Sequence, residues 1–254
     1  MTVIVGTTLT TFAMADPHAW GSWLRNAERQ QAMAAEAGHD LRHFAAIETD
    51  ARGIEPFADL VNDIDSLGGE WWTYSLDDGR TKVDMGGSRW RHITMGQNIV
   101  TEYCQSRPDV DWLLFLAADC AAPSDIVPRM LEMQHPLCAP YITTYGLRGL
   151  KAPCSFDFNG ISAMERGDKP YPAEWGVEDA MASAAAIWIA RDVFRRIRWR
   201  WDLDKGMSDD PCFHHDALHL LGLPTHVRHD VLARHYPEAV GDYESRGYDT
   251  TVVR

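Results

Sequence analysis

The stretch from Asp111 to Asp125 constrains the fold more than any other part of the chain. Trp112 to Leu116 is an unbroken apolar run, the pattern of a strand buried on both faces of an α/β sheet. It stops at Ala117, Ala118 and a single carboxylate, Asp119, followed by small residues and Pro123. Ser124 is a suitable N-cap, and Asp125, Ile126 and Val127 open a helix. Asp119 is therefore expected just past the carboxyl end of a central strand, where open α/β sheets bind their ligands. A carboxylate in that place suits a divalent cation held against a phosphorylated ligand.

The rest of the chain alternates in the same way. Thr2 to Thr8 reads as a first strand and Thr7 to Thr11 as a polar turn. Ala19 to Ala37 has strong helix formers and stops at Gly38, a good residue just beyond a helix end. His43 to Thr49 reads as a second strand, ending in a polar turn from Glu48 to Gly53. Pro56 to Leu67 is a helix closed by Gly68 and Gly69, and Glu70 to Leu76 a third strand. Asp77 to Gly87 is a loop, Ser88 to Ser106 a helix, and Leu137 to Tyr145 a strand. Gly146 to Glu174 is irregular and rich in Gly, Pro and aromatic residues, the mark of a functional or disordered loop. Ala180 to Ala190 returns to the sheet, and Arg191 to Arg196 is a short helix. Ser208 caps a helix that runs to Leu221, and Thr225 to His229 and Val231 to Tyr236 are short extended segments. Strands alternating with helices predict parallel βαβ units and an α/β fold.

Length and composition narrow the class. A chain of 254 residues suits one large α/β domain; residues 1–237 are expected to form it, with 238–254 as a polar tail. A net charge of −13 argues against general polyanion binding, which needs clustered Lys and Arg. One local exception is the basic, aromatic segment from Arg191 to Trp201, which reads as a solvated helix end, a nucleic-acid groove or a membrane-surface patch. Ten Trp residues serve the core and, in loops, suit ring stacking. Five Cys with no close pair point to a reduced, cytoplasmic chain rather than a disulfide framework. No signal-peptide pattern opens the sequence and no apolar run has membrane-spanning length, so no integral membrane segment is expected.

The layout around Asp119 resembles nucleotide-sugar glycosyltransferases with the A-type fold, of the family-2 kind. Their motif is an apolar strand, Asp-x-Asp, a small turn with Pro, then a helix. Here Ala117 replaces the first Asp and Asp119 stands as the second, which in that family is usually the direct metal ligand. Three further segments extend the resemblance over roughly Thr2 to Pro237. Thr7, Thr8 and Thr10 after the first strand, with Glu48, Asp50 and Arg52 after the second, take the places that hold base and ribose. Ordinary turn chemistry accounts for these residue types equally well. The helix from Ser88 carries Arg89 or Arg91 early and Gly96-Gln97-Asn98 later, where the family has a basic residue and a small-Arg-Asn triplet facing the donor. Gly96 inside a helix costs roughly 1 kcal/mol relative to Ala, so a ligand or a neighbouring backbone is expected close to it.

The last segment is the acidic pair Asp209-Asp210 at a helix start, then Phe213, Leu221-Gly222, and His235 after the last strand. By resemblance one Asp deprotonates the acceptor hydroxyl, Asp210 being preferred and Asp209 the alternate, and His235 joins Asp119 on Mn2+ or Mg2+. The resemblance thus implies a metal-dependent, Rossmann-like enzyme with a mostly parallel sheet flanked by helices. It would transfer a sugar from a nucleoside diphosphate sugar, UDP by family frequency, to a hydroxyl with inversion. A base near the hydroxyl and a Lewis acid at the departing diphosphate are what such a displacement needs. The acceptor is open: a hydroxymethylated DNA base, as in phage DNA-modifying glycosyltransferases, a glycan, a lipid-linked sugar or a protein side chain. Its binding is expected over residues 146–174 and 195–201. Two other classes stand beside this one. Ala117 and Gln97 suit a nucleotide-sugar or nucleic-acid binding module without turnover. His215 and His219, four apart on one helix face with Asp216, suit a zinc-dependent hydrolase.

Overall fold

The computed structural model describes residues 1–10, 17–49, 57–75, 87–118, 120–145, 151–153, 155–156, 177–182, 185–202 and 209–235. The first half of the chain is β1 (Thr2–Leu9), α1 (Pro17–Glu36), β2 (Asp40–Glu48), α2 (Phe57–Ser66), β3 (Glu70–Tyr74), α3 (Gly87–Gln105) and β4 (Val110–Leu116). Then come β5 (Cys120–Ala121), α4 (Ile126–Leu131), β6 (Leu137–Tyr145), β7 (Lys151–Pro153), β8 (Ser155–Phe156), β9 (Val177–Ala182) and β10 (Ala186–Ala190). The order closes with α5 (Arg191–Phe194), α6 (Asp209–Leu221) and β11 (Thr225–His235).

The strands form one sheet in the order β3-β2-β1-β4-β10-β6-β11-β9-β8. β3, β2, β1 and β4 are mutually parallel. β10 is antiparallel to both β4 and β6, and β6 is parallel to β11. From β3 to β11, therefore, every strand but β10 runs the same way. The short strands β5 and β7 pair antiparallel with β11 and β6, and β9 with β11.

Alternation along the strands sends successive side chains to opposite faces, and both faces are covered. Val3, Val5 and Leu9 of β1 and Ala45 and Ile47 of β2 pack with Ala27, Ala34, Leu60, Ile64, Val127 and Met130 of α1, α2 and α4. Ile4, Phe44, Ala46, Leu113 and Phe115 pack on the other face with Val100, Tyr103, Phe213 and Ala217 of α3 and α6. The chain runs β1, β2, β3 in one direction across the sheet, and α3 then carries it back over β1 to β4. The switch point of this sheet lies between β1 and β4, which is where doubly wound sheets open a crevice for ligands.

Several boundaries differ from expectation for physical reasons. β1 continues through Leu9, because Thr7, Thr8 and Leu9 keep parallel partners in Ala45, Ala46 and Ile47; Thr7 and Thr8 are strand residues rather than turn residues. Asp125, not Ser124, occupies the N-cap of α4, and it makes no side-chain capping bond. The two expected segments after Thr225 are one strand, broken in register between Arg228 and Leu232. Pro140 faces Arg228 there and has no N–H to give, while Asp230 accepts hydrogen bonds from Arg228 and Arg129. Gly38 ends α1 as expected, with φ of +78° and the His39 N–H bonded to the Ala34 carbonyl.

Candidate functional site

α3 gathers the site. Its Gly96 lies against the end of β1: a Cβ there would stand 2.2 Å from Thr8 Cγ2 and 2.9 Å from the Tyr74 hydroxyl. The close neighbours of Gly96 are thus side chains from β1 and β3, not a backbone. One turn earlier, His92 Nδ1 is hydrogen-bonded to the Glu48 carboxylate at the end of β2. The Tyr74 hydroxyl donates to the His92 carbonyl at 3.1 Å. Burial, with the Glu48 carboxylate nearby, holds the Tyr74 phenol protonated well above its ordinary range. The ends of β1, β2 and β3 are thereby joined through one turn of helix.

The next residue on α3 faces the acidic pair. Gln97 Nε2 donates to Asp209 Oδ2 at 2.6 Å, and both residues are buried. Asp209 is also hydrogen-bonded to the Asp210 side chain and to the backbone N–H groups of Asp209 and Asp210. Burial dominates over these bonds and raises the Asp209 carboxyl above its usual range. Asp210 is partly exposed. The two carboxylates of the pair thus have different environments, one inside and one at the surface.

Other residues expected in the site are placed as follows. Thr8 faces α3, whereas Thr7 lies on the opposite face of β1; both hydroxyls are buried and have no hydrogen-bond partner among the described residues. Thr10 follows the strand and is partly exposed. Asn98 is committed to structure: its Nδ2 donates to the Trp199 carbonyl at 2.9 Å and its Oδ1 accepts the Trp199 N–H at 3.0 Å. Arg89 lies in the first turn of α3, and its side chain is outside the described residues. Asp50, Arg52 and Asp119 also fall outside them. The backbone around position 119 is nonetheless informative. β5 begins at Cys120, and its antiparallel ladder with β11 pairs Cys120 with His235. The fold therefore brings position 235 beside the residue that follows 119. A carboxylate and an imidazole at those two positions are a donor set that suits Mn2+ or Mg2+.

His92 and Tyr74 enter this cluster although sequence reasoning assigned them no role in it, and Gln97, expected by resemblance to face the donor, faces Asp209. A signal for His92 was available: Gly96 marks the face of α3 nearest the sheet, and a residue one turn earlier shares that face. Gln97 is spent on Asp209, not on a phosphate.

The other expectations for this region meet the packing. His214, beside His215 on α6, is buried with Nδ1 2.6 Å from Thr225 Oγ1 and belongs to the core. Asp216 accepts two hydrogen bonds from Arg200, at 2.7 and 2.8 Å, so the carboxylate beside His215 and His219 is already engaged. Among the described residues no three His, Cys, Asp or Glu side chains converge as a metal set. The basic segment is largely balanced within the fold: Arg191 pairs with Asp111 and Arg198 with Glu102. Its aromatic residues Phe194 and Trp199 belong to the core, Trp199 stacked on Phe213 at 4.1 Å. Cys104, Cys120, Cys138 and Cys212 are free thiols, all buried. Among the described residues no helix is long and apolar enough to cross a membrane.

No protein-family model matches the chain, and no curated protein matches it in sequence. Solved structures do match. One is S. aureus TarS 1–349, 10% identical, with 96% of this chain and 63% of that one covered and a TM-score of 0.54; this chain spans less than two thirds of its length. Another is a Bacillus anthracis protein assigned as a glucose-1-phosphate thymidylyltransferase, solved in complex with a sucrose. It is 11% identical, with 99% of this chain and 98% of that one covered and a TM-score of 0.50. Identities this low make the likeness one of fold, and the fold is the Rossmann-like α/β architecture of A-type glycosyltransferases and nucleotidyltransferases.

Proposed function

We propose that this chain is a metal-dependent glycosyltransferase that moves a sugar from a nucleoside diphosphate sugar to an acceptor hydroxyl with inversion. The observation that carries the reading is the junction at α3: strand ends that suit a nucleotide on one side, an acidic pair at a helix start on the other. Thr8, Thr10 and Glu48 line the strand-end side, with Asp50, Arg52 and Arg89 assigned to the same donor by resemblance. Thr7, buried on the other face of β1, is assigned to that donor by resemblance alone. UDP is the nucleotide we favour, on family resemblance.

Asp210 is the general base of this reading. It is the more exposed carboxylate of the pair, while Asp209 is buried against Gln97. A base must reach the hydroxyl it deprotonates, and a single displacement requires no enzyme nucleophile. Asp119 and His235 would hold the divalent cation, which supplies Lewis-acid neutralisation of the departing diphosphate. Asn98 supports this site by fixing Trp199 rather than by touching the donor. A hydroxymethylated DNA base and a glycan both remain acceptors of the reading.

A panel of nucleoside diphosphate sugars, incubated with Mn2+ and scored for nucleoside diphosphate release, tests it. One sugar nucleotide should be turned over, and Asp210→Asn should reduce that turnover by at least a hundredfold while donor affinity stays within a few fold. Unchanged turnover in Asp210→Asn would remove the base assignment. A second reading, nucleotidyl transfer, draws support from the full-length likeness to the thymidylyltransferase fold. Synthesis of a sugar nucleotide from a nucleoside triphosphate and a sugar 1-phosphate, without its consumption, would favour that reading. Binding of a sugar nucleotide with neither reaction would favour a module without turnover.

A further inference from the structure

The contact between Gln97 and Asp209 is incomplete if Asp209 is ionised. Asp209 Oδ2 accepts the Gln97 amide N–H at 2.6 Å. Asp209 Oδ1 and Gln97 Oε1, both buried, have no hydrogen-bond partner among the described residues. Among the described residues these two acceptor oxygens share the lack of a donor, although the Asp209 carboxyl as a whole is also bonded by Asp210 and by the backbone N–H groups of Asp209 and Asp210. A buried acceptor left without a donor bears the cost of leaving water with nothing to offset it. A carboxylic acid and a primary amide remove both deficits at once: the amide N–H goes to one carboxyl oxygen, and the acid O–H goes to the amide oxygen. One proton on Asp209 Oδ1 is enough.

The charges around Asp209 lead to the same conclusion. From α3 it faces the neutral amide of Gln97. From its own helix it faces Asp210 and Cys212, the first an acid and the second a thiol. No cation is among these described neighbours; the hydrogen bonds from Gln97, Asp210 and the backbone N–H groups favour the ionised form, and burial outweighs them. The direction of its titration, raised by burial, agrees.

We propose that Asp209 carries a proton in the native protein and forms an acid–amide pair with Gln97, so that both act as positioning residues for Asp210. The role given to Asp210 rests on the transferase reading; the protonation of Asp209 does not. A neutral Asp209 adds no second negative charge next to Asp210. The acid–amide pair then fixes Asp209 against α3, and with it the start of α6 that carries Asp210.

Infrared difference spectroscopy on the intact chain reads the proton directly. At neutral pH the wild type should show the carbonyl stretch of a protonated carboxylic acid, and Asp209→Asn should lose it. Gln97→Leu removes the amide partner and should shift that band, which keeps the pairing testable if Asp209→Asn does not fold. Thermal unfolding against pH gives an independent reading. An acid whose native pKa is raised stabilises the fold below its unfolded pKa, and this contribution is lost as pH rises through the native value. Asp209→Asn cannot ionise, so its melting temperature should gain on that of the wild type as pH increases. Absence of the acid band in the wild type, an unshifted band in Gln97→Leu, or parallel pH profiles of melting would each overturn the proposal. A present, shifting band in a protein that turns over no sugar nucleotide would uphold the protonated pair and sink the transferase reading instead.

Discussion

His43 carries the plainest thermodynamic consequence of any single residue. It sits on β2 facing α1, beside the Ala27 backbone, and burial pushes its imidazole down to about 4 from an ordinary 6.5. The unfolded chain therefore binds a proton that the native chain refuses. Native stability is fully present above pH 6.5 and is lost as pH falls toward 4, by about 3 kcal/mol in all. His43→Leu should flatten the acid limb of a melting-temperature profile over that window; an unchanged limb would assign the acid sensitivity elsewhere. Nothing local in the sequence marked His43, since its burial comes from a helix earlier in the chain. Gln97 was marked by its place in the triplet, but its partner, 112 positions away, was not. By contrast, Gly96 stood out because it breaks the ordinary preference of a helix interior, and the acidic pair Asp209-Asp210 because of the matching segments that follow it in the chain.

At the level of elements, α3 is laid on β1 with almost no intervening side chain. Gly6 on the strand and Gly96 on the helix both make this possible: a Cβ on Gly6 would stand 2.2 Å from Val100 Cγ1, just as one on Gly96 would meet Thr8. Gly6→Ala and Gly96→Ala should each destabilise the fold by about 1–3 kcal/mol, measured by urea unfolding, through overpacking. A cost below about 0.5 kcal/mol in either would mean that the helix can lift without penalty. Asn98→Ala should cost about 1–3 kcal/mol in the same assay, since it strips two hydrogen bonds from the Trp199 backbone. Most elements were legible because their signals are local. The apolar run before Asp119 is β4, and the segment from Ser88 is α3 with its start one residue earlier. Two misses have the same origin. The length of β1 and the unity of β11 depend on pairing with β2 and β6, partners that no local pattern reveals.

For the whole molecule, the strand order decides where ligand binding registers. A nucleotide held at the ends of β1 and β2 bridges elements of the cooperative core, so binding should raise global stability. At a hundred times its dissociation constant a ligand adds about 2.7 kcal/mol. For a chain of this size that amounts to roughly 5–10 °C in melting temperature. A shift with one nucleoside diphosphate, enlarged by Mn2+ and lost in Asp119→Ala, would establish the binding site; equal shifts with and without the metal in both proteins would separate Asp119 from it. The sheet order has a further effect, on biosynthesis. β3, β2, β1 and β4 are contiguous in space and complete by residue 116, so four of the eleven described strands can assemble as soon as that much chain has left the ribosome. β6 emerges next, yet its long neighbours are β10 and β11, made some 40 to 90 residues afterwards. During that interval the apolar strand from Leu137 waits without its main partners. A nascent chain stalled just before β10, so that β6 has cleared the exit tunnel, should be protease-resistant up to about β4 and cleavable in β6. The antiparallel strand wedged into the middle of the sheet is thus also the piece that ends its most aggregation-prone moment.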